Sequence, residues 1–316
     1  MERQKQKRFG KIMVAVMNSI VNFAVLFVLL LLFLFAGYSL WDSNQIYTAA
    51  DSGLYSMYKP TYENTVSFAE LQKNNEDIFG WLTVYGTNID YPLVQGEKNS
   101  TYLNRDVMGN YSVSGSLFLD YRNSIRFTDF NSVIYGHHMD KNVMFGEIEY
   151  FKNKTFFDEH QYGKLYYDGE GHGVEFFAFL ETDAYDKAVY TIPVQESLSR
   201  QYLEGLITKA TNAREVEMAG TDKVIILSTC TAESTNGRHV LVGRISNEIY
   251  TNAFEHSADS GNKNHIFNRF NVLEVLMQIP VWIWILLILL VIFSIYFIVS
   301  KRKKKRDNKE YEGREE

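Results

Sequence analysis

The chain has 316 residues, 46% of them apolar and 22% charged, which excludes wholesale disorder and leaves room for one sizeable domain plus extras. A net charge of −6, from 38 acidic and 32 basic side chains, argues against a nucleic-acid binder that works by neutralising phosphates. The single cysteine, Cys230, excludes an intramolecular disulfide, a multi-cysteine zinc site and a CxxC redox pair.

In chain order, residues 1–11 are basic through Arg3, Lys5, Lys7, Arg8 and Lys11, and they lead into an apolar segment, 12–38. Its densest part, 20–36, is broken only by Asn22, and the whole exceeds the roughly 20 helical residues that cross a hydrocarbon core of about 30 Å. A cleaved signal peptide shares this pattern, but the run is long for one and no A-x-A site follows Ala36. Residues 39–62 mix polar and small side chains and read as a stalk or a helical approach to the domain at 63–255. Within that domain, 68–73 has helical spacing, and the pattern then turns strand-like. Candidate strands are 88–94, 116–121, 132–138, 163–167, 174–181, 223–231 and 239–245, interrupted by helical segments at 143–151, 154–160 and 196–210. Many short strands, with aromatic residues at 15% of the chain, predict a mainly β domain, closed or sandwiched, with peripheral helices. A linker at 256–278 leads to a second apolar segment, 279–299, with Trp282 and Trp284 near its start and Tyr296 near its end, as expected at head-group level. The tail, 300–316, opens on six consecutive basic residues from Lys301 to Arg306. Basic clusters on the terminal side of both runs predict two spans, both termini in the cytoplasm and the domain between them outside.

Residues 223–230 read as a buried strand ending on the thiol of Cys230. A polar turn follows, and strand character resumes at Arg238, so a hairpin returns Arg238 towards Cys230. Nearby positive charge favours a thiolate, and an arginine can also donate to an oxyanion. A lone cysteine is equally at home as a small buried apolar residue, and spacing alone leaves both readings open. The segment Asn131 to Asp140 adds a strand that runs into Gly136 and the pair His137 and His138. A histidine at a strand end is where a general base can meet a thiol from another strand. Alternation sends the two rings to opposite sides, so at most one faces Cys230. The remaining histidines (His160, His172, His239, His256, His265) lie in polar contexts and read as surface residues, without a metal-ligand spacing.

Leu227-Ser228-Thr229-Cys230 with Arg238 downstream, and Tyr135-Gly136-His137 upstream, resembles the TLxTC signature and the His–Cys–Arg triad of sortases, the membrane-anchored transpeptidases of Gram-positive bacteria. The likeness covers the whole outside domain. Trp81-Leu82-Thr83-Val84, then 89–95, Tyr102-Leu103, 115–120 and 135–139 follow the order found in class B sortases, as does the helical segment before the cysteine strand. One departure is Ile226 where the signature has Thr, at a position that packs or orients and does not react.

The resemblance implies an eight-stranded sortase-type β-barrel, flanked here by two transmembrane helices. It implies Cys230 as the nucleophile that attacks a threonine carbonyl in a sorting signal, His137 as acid and base, Arg238 as oxyanion or substrate contact, and Ser228 at the substrate pocket. Arg244 and His138 are the rivals, one further along its strand and the other one residue past the glycine; His239 points away from Arg238. For Ser228 a plain strand hydroxyl is the bland alternative. No cofactor is implied, and no carboxylate cluster justifies the calcium loop of class A enzymes. The implied partners are surface proteins or pilins with a sorting signal, and an amine acceptor, either a pilin lysine or a cell-wall peptide. A second span is more familiar in pilin-polymerising sortases, which favours pilus assembly over attachment to the cell wall. A papain-like protease would need its cysteine at a helix N-terminus and an Asn or Asp orienter, and a non-catalytic surface receptor would be indifferent to Cys230→Ala.

Overall fold

The computed structural model describes residues 2–61, 66–218, 222–230, 236–255 and 288. The expected linker, second span and basic tail therefore lie outside the described residues, Ile288 apart. The chain divides after Ser43 into two units, taken separately. The first is represented by most of helix α1 (Glu2–Ala49), a run of 48 residues without proline. Its apolar side chains are exposed all round, with Phe23, Leu26 and Phe33 about two-thirds accessible or more. That is the surface a lipid-facing helix presents. By length and composition α1 can cross a membrane.

The second unit begins with the end of α1 and a 3₁₀ turn (Ser52–Tyr58), then α2 (Val66–Asn74). The strands follow: β1 (Ile78–Val84), β2 (Asp90–Val94), β3 (Leu117–Leu119) and β4 (Asn131–Tyr135). A small hairpin, β5 (His138–Met139) and β6 (Val143–Met144), leads through a 3₁₀ turn (Gly146–Lys152) into α3 (Lys154–Glu159). Next come β7 (Tyr162–Tyr167), β8 (Glu170–Asp183), α4 (Lys187–Tyr190), a 3₁₀ turn (Glu196–Leu198) and α5 (Ser199–Lys209). The unit ends on β9 (Asn212–Ala213), β10 (Lys223–Cys230) and β11 (Gly237–Ser246).

Eight strands close in the order β11-β10-β4-β3-β2-β1-β7-β8, with β8 returning to β11 and β9 added on β8. The β10–β4 and β2–β3 pairs are parallel and the other ladders antiparallel. Alternate residues fill the barrel: Ile225 and Leu227 of β10, Leu241 of β11, Ile134 of β4 and Phe176 of β8 are all buried in one cluster. The intervening residues pack outward against α4 and α5, where Val224, Ile226, Val240 and Val242 meet Val189, Tyr202 and Leu206. Both faces of β10 are thus covered, which is why its sequence is a nearly unbroken apolar run. Ile226 is fully buried in the outer cluster.

The expected mainly β fold with peripheral helices is present as an eight-stranded barrel. The segment 143–151, expected to be helical throughout, instead begins as β6, paired with β5, and coils into a 3₁₀ turn only from Gly146. Left-handed backbone at Lys141 and Asn142, with φ of 61° and 60°, turns the chain back into that hairpin and overrides helical spacing. β1 was not separable from its flanks by pattern, since all seven of its residues are buried and show no alternation.

Candidate active site

The site forms where three neighbouring strands end. β10 runs parallel to β4 with Ser228 level with Tyr135, and the amide of Gly136 donates to the Ser228 carbonyl at 3.2 Å. Two residues beyond that pair lie Cys230 and His137. On its other side β10 is antiparallel to β11, and Cys230 is the register partner of Arg238. Side-chain alternation places Ser228 and Arg238 at outward-facing positions, opposite the barrel core. Gly136 has to be glycine here: an added Cβ would collide with Leu117 and lie 2.7 Å from the Phe145 ring, so no side chain fits where the chain passes into His137.

His137, Ser228 and Arg238 line one cleft of about 490 Å³, together with Asn99, Leu103, Arg122, Tyr135 and Tyr190 among others. The half-buried His137 places Nε2 2.7 Å from the carbonyl of Leu103. A carbonyl only accepts, so Nε2 carries the proton and Nδ1 is the nitrogen that remains to exchange one. Arg238 is half-buried and donates through Nη1 to the carbonyl of Gly237 at 2.7 Å. Ser228 is almost fully buried, and its hydroxyl shares a 2.7 Å hydrogen bond with the phenol of Tyr190. The Tyr190 ring lies nearly parallel to that of Tyr135, 6.5 Å away, and Tyr135 also packs on Phe118 at 5.4 Å.

Beneath this wall the carboxylate of Asp120 is fully buried. Burial alone would raise its pKa, but hydrogen bonds from Arg122 and Asn99 outweigh it and hold the group below the usual value of 3.8. Burial, then the nearby Asp120 charge, pushes the Tyr135 phenol well above its ordinary value, so it stays protonated and donates.

The rival residues point elsewhere. His138 faces Glu149, with Nε2 3.8 Å from its carboxylate. Arg244 is bound to Glu175 at 2.7 Å and Asp222 at 3.4 Å. It lies six residues along β11 from Arg238, roughly 20 Å at strand rise. Two histidines expected at the surface are buried: His239 lies inside the barrel against Phe179 and 3.7 Å from Glu181, and His160 is stacked between Phe156 and Phe254. Their polar neighbours in sequence gave no hint of these stacks, which other segments supply. His256 and His265 lie outside the described residues. Among the described residues no group of three His, Cys, Asp or Glu side chains is placed to hold a metal ion. Tyr190, Asn99 and Arg122 were not singled out by sequence, and Leu103 and Asp120 entered only within the segments that follow the class B order, with no role given to them. The only local signal was the acid and base two apart at the end of β3.

No family model matches the chain. Sortase B of Listeria monocytogenes is 34% identical over 178 residues, covering 56% of this chain and 72% of that relative. Among solved structures, sortase B from the type II pilus of Streptococcus pneumoniae is 43% identical, covers 57% of this chain and 99% of its own, and superposes with a TM-score of 0.51. A class B sortase of Streptococcus pyogenes involved in pilus biogenesis is 39% identical over 57% of this chain and 98% of its own, with a TM-score of 0.53. Likeness at this level, over nearly the full solved domains and on the same closed barrel, means that this chain belongs to the class B sortases, a family of cysteine transpeptidases.

Proposed function

We propose that the chain is a membrane-anchored sortase that cleaves a C-terminal sorting signal after threonine and passes the acyl group to an amine, in the assembly of a pilus. The reading is supported by the strand register, which sets Cys230 level with Arg238 where β10 and β11 end beside β4, and by the cleft that His137 and Arg238 line. In the first step the Cys230 thiolate attacks the threonine carbonyl. Arg238 donates to the oxyanion that develops, and His137 protonates the departing amine as the C–N bond breaks. A thioacyl-enzyme results, which divides one difficult amide exchange into two easier steps. An incoming amine then attacks the thioester carbonyl and gives its proton to His137, and the thiolate leaves. Ser228, held by Tyr190, contacts the signal peptide from the floor of the cleft.

Pilus assembly is favoured by the two pilus-associated sortases at 43% and 39% identity and by the second apolar run at 279–299. The substrates are then pilins with a sorting signal and the acceptor a pilin lysine. Cell-wall attachment of surface proteins, with a peptidoglycan precursor as the amine, is the second reading. Basic residues beside both apolar runs support a cell-membrane location with both termini cytoplasmic and the barrel outside, and the sortase family supports a Gram-positive host.

Intact-mass spectrometry of the full-length chain in detergent, incubated with sorting-signal peptides of class B and LPxTG type, tests the chemistry. The expected result is an acyl adduct on Cys230 that is absent from Cys230→Ala and is discharged by added amines. Hydrolysis indifferent to amine would point to a protease. A chain with no adduct and a thiol that alkylates no faster than free cysteine would overturn the assignment.

A further inference from the structure

Asp120 is the most heavily hydrogen-bonded side chain around the cleft, yet it is completely buried and touches no space a peptide could occupy. Arg122 forks onto it through Nε and Nη2, each at 2.8 Å, and adds its own backbone amide at 3.0 Å. Asn99 donates through Nδ2 at 2.8 Å and the Tyr135 hydroxyl at 3.1 Å. These donors come from three separate segments, and Asn99, Arg122 and Tyr135 all line the cleft that holds His137 and Arg238. The backbone of Asp120 is tied down as well: its amide donates to Val133 at 2.8 Å and its carbonyl accepts from Gln95 at 2.9 Å. Arg122 spends two of its three donor nitrogens on the fork, so Nη1 remains for the cleft.

Resting on the transpeptidase reading above, we infer that Asp120 is a positioning residue for the sorting peptide. From behind the cleft wall it holds Asn99 and Arg122 in the one arrangement that presents their remaining donors to the carbonyls of an extended chain, and it fixes the Tyr135 ring, whose one hydroxyl proton it takes, as part of that wall. An ionised carboxylate suits this task because it only accepts, so every group around it must turn a donor inward and is fixed in rotation. The Tyr135 ring carries the constraint on to Tyr190, and hence to the Ser228 hydroxyl. Asp120 therefore sets how the peptide lies across Cys230 without taking part in bond making.

The test is steady-state kinetics on the full-length chain in detergent, using the peptide that acylates Cys230. Asp120→Asn keeps the volume but turns an N–H towards the donors of Arg122 and Asn99. The expected outcome is a rise in KM on the order of tenfold, with kcat within about threefold and the alkylation rate of Cys230 unchanged. A merely structural role would instead lower the active fraction, so kcat would fall at constant KM. Arg122→Lys keeps the charge and loses the fork, and it should raise KM in the same direction. The double variant should be no worse than the poorer single one, because both remove the same arrangement. Should Asp120→Asn fail to fold, Arg122→Lys and Asn99→Ala carry the test alone. Unchanged KM in the folded variants, or strictly additive effects, would overturn the inference and leave the transpeptidase standing. A wild-type chain that forms no adduct would overturn both.

Discussion

Arg238 is the residue at which a conservative exchange is most informative. Its guanidinium stands at the start of β11, in register with Cys230, and is steadied by the Gly237 carbonyl. A lysine there would keep the charge but not the planar fork, and its ammonium would be more strongly hydrated. Arg238→Lys is expected to lower kcat for peptide cleavage on the order of a hundredfold, the scale of losing one oxyanion donor. Cleavage at the wild-type rate would move that role to backbone amides. Cys230, His137 and Arg238 could be picked out in the sequence as candidates because their residue types stand at the ends of three expected strands, whereas Ser228 came only with the family resemblance. Asn99, Asp120 and Tyr190 could not, because their relevance arises only when barrel closure brings three loops together. Ser228 and Tyr190 are 38 positions apart, and no local pattern links a strand serine to the end of a four-residue helix.

Among the elements, β10 was plain in sequence: an apolar run ending on the cysteine marks a strand covered on both faces. Its parallel pairing with β4 was not, since a crossover of some 90 residues leaves no local trace of its partner. The hairpin after His137 was hidden for a different reason. β5 and β6 are two residues each, and their pairing is secured from outside by Tyr91. The buried hydroxyl of Tyr91 accepts from the amide of Met144 and donates to the carbonyl of Ala50, both at 2.9 Å. The amide of Phe145, next along, bonds back to the His137 carbonyl at 3.0 Å. Tyr91→Phe leaves an amide and a carbonyl buried without partners, an expected cost of about 1–3 kcal/mol in denaturant unfolding. Hydrogen exchange should quicken at Met144 and Phe145 while the amides inside β10 stay protected. Exchange unchanged at both sites would mean that the hairpin holds His137 without help from the segment around Ala50.

At the scale of the whole molecule the central question is why a barrel that matches single catalytic domains should carry an apolar run on each side. α1 alone is long and apolar enough to hold the enzyme at a membrane. A second anchor, as proposed above for residues 279–299, would add nothing to retention, so its use would lie in what the barrel meets. A polymerising sortase has to bring two membrane-held substrates to one thiol, one as acyl donor and one as amine. Tethering raises their effective concentration only where the geometry lets both engage together. An enzyme fixed by two spans explores fewer orientations than one that swivels on a single helix. A free peptide in solution is indifferent to this restriction. Deleting residues 279–299 and the tail should therefore leave peptide cleavage by the detergent-solubilised chain within about threefold. In cells the same truncation should abolish the ladder of high-mass pilin polymers on immunoblots while the monomeric pilin persists. A ladder of normal length would remove the second span from the mechanism and tilt the balance towards cell-wall attachment. Loss of peptide cleavage as well would make the span part of the catalytic domain's own stability.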